Sequence, residues 1–129
     1  MSAFIIKFLK GEQPVIYGSG SKKRDFVYVD DINDFHIQCI TDHRTDGGTF
    51  NLGSGKNYSV NEIYRILADL MKADGKPVYK PDLPGEAEET LADISTACRL
   101  GWNPKTEITD GLKNMISFIT DEFKKGNIK

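Results

Sequence analysis

Gly53, Gly55 and Lys56, in the stretch FNLGSGKNYSVNEI at residues 50–63, are the first residues whose types and spacing suggest chemistry. A glycine-rich turn between an apolar run and a helix-like pattern can present backbone amides to a phosphate. A Walker loop, written GxxxxGK[ST], would need glycine where Phe50 stands and serine or threonine where Asn57 stands. The dinucleotide pattern GxGxxG accepts Gly53 and Gly55 but places Tyr58 at its third glycine. GSGSKK at residues 18–23 fails in the same way at Lys23. The expectation is therefore a strand-to-helix turn in which Gly53 and Gly55 supply positive φ angles.

Other reactive groups are scattered. His36 is expected on a helix and His43 in the loop after it, with no acidic or cysteine partner at metal-ligand spacing. Cys39 and Cys98 fall in amphipathic patterns and read as small buried thiols, neither metal ligands nor a disulfide scaffold. Cys39 has no evident base, and there is no GxSxG elbow. The carboxylates of EAEET, residues 86–90, read as a solvated acidic loop, since an acid-base pair would need burial. Spacing alone assembles no catalytic site.

The elements that must position these groups are short. Ser2 to Leu9 reads as a helix with Phe4, Ile5, Phe8 and Leu9 on one face, closed by Gly11. Val15 to Tyr17 is a β-prone run, and RDFVYVDD is extended. Asp30 or Asp31 is placed to cap a helix burying Ile32, Phe35, Cys39 and Ile40. Residues 43–48 form a loop, and Thr49 to Leu52 read as a strand. Ser59 and Glu62 form a capping box for a helix carrying Val60, Ile63, Leu67, Leu70 and Met71. Lys76 to Tyr79 is expected as a strand, followed by a polar loop from Pro81 to Glu89. Asp93 should cap a short helix ending at Gly101. A final helix from about Thr109 buries Leu112, Met115, Ile116, Ile119 and Phe123, and KKGNIK frays into solvent. The fold class is α/β: a small mixed domain of short strands and about five helices. So few strands do not make a doubly wound sheet.

Composition bounds the function. The chain has 129 residues, 39% of them hydrophobic and 28% charged, and a formal net charge of −2. That is room for one domain with a core of its own. The charge balance points away from nucleic acid as a partner. Apolar runs fall far short of the roughly 20 residues that span a bilayer, so no membrane partner is expected. Phe4-Ile5-Ile6 is interrupted by Lys7, so no signal peptide is read, and a reducing cytoplasm is the expected setting.

Four stretches, read in order, carry a resemblance. VIYGSGSKKRDFVYVDDIND is very similar to a segment of the NAD-dependent sugar-nucleotide epimerases and dehydratases, the extended short-chain dehydrogenase/reductase group. In that family a strand ending in Tyr-Gly or Phe-Gly precedes a glycine-bearing loop and then Arg-Asp-Phe-x-Tyr-Val-x-Asp. TFNLGSGKNYSVNEI looks like its later strand, Gly-x-Gly turn and capped helix. PGEAEETLADISTACRLGWNP resembles its Pro-Gly-Asp … Ala-Asp … Leu-Gly-Trp-x-Pro stretch, and GLKNMISFI its closing helix.

The resemblance implies that residues 1–129 are a single C-terminal, substrate-binding part of such an enzyme, lacking the Rossmann NAD-binding half. The five tyrosines, at 17, 28, 58, 64 and 79, are followed four places on by Ser21, Ile32, Glu62, Ala68 and Leu83, so the family's Tyr-x-x-x-Lys pair is not in this sequence. No catalytic residue, metal or cofactor site is assigned here, and NAD is expected only of the full-length family enzyme. The implied ligand is a UDP-sugar or another nucleotide sugar, and the implied partner the missing Rossmann domain. UDP-glucose 4-epimerisation is the expected activity of the whole, with UDP-glucuronate 4-epimerisation and dTDP-glucose 4,6-dehydration beside it. A stand-alone, non-catalytic nucleotide-sugar-binding or protein-interaction module is the alternative.

By the same resemblance, Arg24 contacts the substrate diphosphate, a role that suits a planar fork of donors. Its bland alternative is an ion pair with Asp25 or Asp30. Val15 and Tyr17 match positions that frame the nucleotide base, or else simply pack in a strand. Asp25 and Asp31 read as structural. Many family members place an arginine before Pro-Gly-Asp as a second phosphate contact, where this chain has Leu83-Pro84-Gly85-Glu86. Leu83 cannot bond phosphate, whereas Glu86 can accept ribose hydroxyls. With its partner half absent, the helix from Ser59 and the strand at 50–52 are expected to bare an apolar patch, opening the way to a homo-oligomer.

Overall fold

Apolar residues at helical spacing organise most of the chain. The structure, a computed structural model, describes residues 1–128. It contains α1 (Ser2–Leu9), β1 (Val15–Tyr17), β2 (Lys23–Asp25), α2 (Val29–Thr41), β3 (Asn57–Ser59), α3 (Val60–Met71), β4 (Val78–Lys80), α4 (Ser95–Arg99) and α5 (Ile108–Lys124), with a 3-10 turn at His43–Thr45. β1 runs parallel to β4, pairing Val15 with Val78 and Tyr17 with Lys80. β2 runs antiparallel to β3, pairing Lys23 with Ser59 and Asp25 with Asn57. These are two separate two-stranded sheets. Such pairs need helices packed on them for stability.

That support comes from two apolar clusters. Ile5 of α1, Ile63 and Leu67 of α3, and Leu112 and Ile119 of α5 form the first. α3 is set by its N-terminus, where Ser59 and Glu62 make the reciprocal capping box. Its last turn closes at Lys72, a lysine in the left-handed region at φ 51°. The second cluster joins Phe35 of α2 to Ala97 of α4 and Trp102. Phe35 meets the rings of Phe50 and Trp102 edge to face, at centroid distances of 5.1 and 5.9 Å, the arrangement aromatic quadrupoles favour.

Several sequence expectations are corrected. Residues 49–52 are not a strand, because no neighbouring strand takes their backbone groups; the strand before α3 is 57–59 instead. Phe50 serves the aromatic cluster. Neither Asp30 nor Asp31 caps α2: the helix begins at Val29 after Tyr28, with no side-chain cap, and both acids lie in its first turn. Ile40 is not buried; Val29, Ile37 and Ile40 are 59%, 64% and 78% exposed. Cys39 and Cys98 are only half-buried. The apolar face of α3 is not bare, since α1 and α5 cover it; exposed large apolar residues stand on α2, on β1 and β4 at Tyr17, Val78 and Tyr79, and at Met1, Leu83, Leu91 and Phe118. Nor does the C-terminus fray through residue 128. Asn127 Nδ2 donates to Glu122 Oε2 at 2.7 Å, and Ile128 packs on the first cluster. Lys129, the end of the expected frayed tail, lies outside the described residues.

Candidate functional site

Alternation along β1 buries Ile16 and turns Val15 and Tyr17 to the other face, Val15 half-buried and Tyr17 exposed. The parallel pairing sets Tyr17 beside Lys80, and the Gly18 amide donates to the Lys80 carbonyl at 2.9 Å. Gly18 has φ +69°, and a Cβ there would stand 3.0 Å from Asp82 Oδ1. The ends of β1 and β4 thus lead into one place, where the exposed loop 81–90 begins.

That loop runs back along β2. The Lys23 amide donates to the Glu88 carbonyl at 2.9 Å, and the Thr90 amide to the Lys23 carbonyl at 3.1 Å. Lys22 immediately precedes β2 and is buried, whereas Arg24 within the strand is half-buried. Lys22 is 7% exposed. Its Nζ donates to Asp82 Oδ1 at 2.6 Å and to Glu86 Oε2 at 3.3 Å. The hydrogen bond that it donates to Asp82, with help from the one to Glu86, raises the Lys22 pKa against its burial. The same ammonium lowers that of Asp82. Arg24 is half-buried and donates from Nη1 to the Lys23 carbonyl at 2.8 Å. Among the described residues it makes no ion pair with Asp25 or Asp30.

Arg24 and Glu86, far apart in sequence, are therefore brought to one strand segment, with Val15 and Tyr17 at the mouth of the loop that carries Glu86. Lys22 is the residue the sequence reading missed. The signal available in the sequence was a further cation two places before Arg24, at the end of the GSGSKK turn.

The glycine turn at 53–55 is filled from within. Asp25 Oδ1 accepts from the Ser54 amide at 2.7 Å and from Ser54 Oγ at 2.6 Å. Its Oδ2 accepts from the Gly55 amide at 3.3 Å and the Ala92 amide at 3.2 Å. A carboxylate of the protein holds the donors that a phosphate would need, so this turn does not fit a dinucleotide. Gly55 has the expected positive φ, +70°. Gly53 does not; it is needed because a Cβ there would lie 2.4 Å from Asp25 Oδ2 and 2.6 Å from Ala92 Cβ. Asp31, buried in α2, bonds across the fold: its Oδ2 accepts from the Thr106 amide at 3.0 Å, and its carbonyl accepts from Trp102 Nε1 at 2.7 Å. Both acids are structural, though Asp31 is a tie between segments and not a cap. His36 and His43 are exposed, the latter 3.1 Å from Asp46 Oδ2.

The chain is similar to known proteins over part of their length. Residues 1–53 match the NAD dependent epimerase/dehydratase family. A putative UDP-glucose 4-epimerase from Methanocaldococcus jannaschii is 33% identical over 92% of this chain, which spans 38% of that relative. The structure of a UDP-glucose 4-epimerase from Thermotoga maritima with UDP-glucose superposes with a TM-score of 0.87 at 32% identity, over 93% of this chain and 38% of that one. A UDP-glucuronic acid 4-epimerase from Bacillus cereus, in complex with UDP-glucuronic acid and NAD, gives 0.85 at 28% identity, over 92% of this chain and 40% of that one. The chain thus spans well under half the length of these proteins, and its small α/β fold is that of a part of such an epimerase.

Proposed function

From the premise that this chain shares the sequence and fold of NAD-dependent epimerases and dehydratases over part of their length, we propose that it is the C-terminal, substrate-holding part of a UDP-glucose 4-epimerase-like enzyme. The observation that carries this reading is the course of the 81–90 loop along β2, which brings Glu86 to the strand segment bearing Arg24. The guanidinium receives the diphosphate and the carboxylate the ribose hydroxyls, each group matched to its ligand by donor and acceptor type. Val15 and Tyr17 frame the base, on the outward face of β1 beside β4.

The chain's own residues supply binding and orientation. NAD, when bound by the full-length enzyme, supplies hydride exchange, and it is held outside this chain. Two observations support that division: the Tyr-x-x-x-Lys pair is not in this sequence, and Asp25 occupies the 53–55 glycine turn, one of the two stretches that resemble a nucleotide cradle. The reading excludes turnover by the chain alone.

Calorimetric titration of the chain with UDP, UDP-glucose and NAD at low salt tests it. Binding of both UDP species, lost in Arg24→Ala, with none for NAD, is the expected result. NAD binding, or UDP binding indifferent to Arg24, would overturn it.

A further inference from the structure

Lys22 stands where the chain otherwise lacks a phosphate-binding group. Leu83, which offers no hydrogen-bond donor in its side chain, lies between Asp82 and Glu86, and those are the two acids that Lys22 reaches. The ammonium is thus held at the segment where Leu83 leaves a cation wanting, delivered from β2 across to the loop. It stands two residues before Arg24, at the entrance to β2. Its stem is buried, so its position is fixed by packing and not by the search of a flexible surface chain.

Its two bonds within the protein are unequal. An ammonium has three donors, and among the described residues Lys22 uses two, a close one to Asp82 and a longer one to Glu86. Both acids are about half exposed in their side chains, at 50% and 44%, so either can turn to water when released. Glu86, with the longer bond, is the easier to exchange.

We infer that Lys22 is a second diphosphate-binding cation, and that it holds Glu86 in reserve until a ligand arrives. The inference rests on the nucleotide-sugar reading above and deepens it. A diphosphate entering beside Arg24 meets the third donor of Lys22 and displaces Glu86 from it. Asp82 keeps the ammonium in place, and the freed Glu86 carboxylate accepts the ribose hydroxyls. The diphosphate takes the place of one carboxylate on the ammonium, and Arg24 and Lys22 together offset two of its negative charges.

The test compares inorganic pyrophosphate, uridine and UDP by titration calorimetry on the whole chain and its variants. Lys22→Met keeps the buried stem and removes the charge; Lys22→Arg restores it. The expected result is a loss of tenfold or more in pyrophosphate and UDP affinity for Lys22→Met, with uridine unchanged and Lys22→Arg largely rescued. Glu86→Gln should tighten pyrophosphate, by removing a competitor for the ammonium, while weakening uridine. If Lys22→Met weakens uridine as much as UDP, Lys22 only shapes the loop and the inference fails. If Arg24→Ala abolishes UDP binding and Lys22→Met does not change it, this inference fails while the nucleotide-sugar reading survives. Binding of neither pyrophosphate nor UDP by the unaltered chain overturns both. Should Lys22→Met fail to fold, by circular dichroism, the Glu86→Gln response to pyrophosphate decides: unchanged affinity there refutes the competition.

Discussion

The Asp25 carboxylate caps the Ser54 turn, accepting the Ser54 amide at 2.7 Å and the Ser54 hydroxyl at 2.6 Å through one oxygen. Its other oxygen takes the Gly55 and Ala92 amides. One side chain on β2 thus ties together the glycine turn and the segment leading to α4. A loop that looks in sequence like a phosphate cradle is instead a joint, with the anion built in.

Asp25→Ala should destabilise the chain strongly, since bonds to a charged group contribute about 1.5–3 kcal/mol and several are lost together. Urea unfolding is expected to show a loss of at least about 2 kcal/mol, with Asp25→Asn milder because one acceptor oxygen survives. An Asp25→Ala chain as stable as the parent would mean that water replaces the carboxylate at no cost.

Gly53→Ala should cost more than Gly11→Ala, although only Gly11 has a positive φ. At Gly53 the added Cβ would meet Asp25 Oδ2 at 2.4 Å and Ala92 Cβ at 2.6 Å, whereas at Gly11 it meets nothing within 4 Å. Overpacking of that kind costs about 1–3 kcal/mol, against about 1–2 kcal/mol for a residue forced into the left-handed region. Thermal melts of the two variants rank them; the reverse order would show that the 53–55 turn relaxes freely.

The Lys22–Asp82 contact should make order in the 81–86 loop pH-dependent at both extremes. Asp82 is depressed below its ordinary 3.8 by the hydrogen bond from Lys22. Its contribution is therefore fully present above 3.8 and disappears as pH falls through the lower folded value. Lys22 is raised above 10.5. Its contribution is present below 10.5 and is lost as pH rises through the higher folded value. Carbon chemical shifts of the Asp82 and Lys22 side chains should thus be constant between about pH 5 and 9 and move outside it. A transition near neutrality would contradict the pairing.

Ile37 and Ile40, exposed one turn apart on α2, should drive weak self-association of the chain, because neighbouring bare apolar side chains favour contact. Sedimentation is expected to depend on concentration, and the double change Ile37→Lys, Ile40→Lys to suppress that dependence. A monomer at all concentrations, in parent and variant alike, would refute the claim.

Local order was largely legible in the sequence. The apolar stripe of α5 and the Ser59–Glu62 box need only neighbours a few residues away, and periodicity or capping chemistry reports them directly. Arg24, Glu86, Val15 and Tyr17 were nameable because short ordered motifs carry a family resemblance. Wherever a residue's partner lies far along the chain, that legibility ended. Residues 49–52 have β-prone side chains but no strand beside them, and pairing, not propensity, makes a strand. Asp31 looked like a cap because acids cluster at helix starts, yet its carboxylate goes to Thr106.

What the sequence by itself determined is a set of amphipathic helices, a few short strands and an arginine in a recognisable setting. Only the tertiary structure decided that Asp25 fills the glycine turn, that Gly53 is needed for room, and that Lys22 reaches Asp82 and Glu86 some sixty residues away. The physical reason is one of range. Helical periodicity and capping act within a turn or two of chain, whereas a hydrogen bond or ion pair is chosen by whichever groups packing brings within about 3 Å.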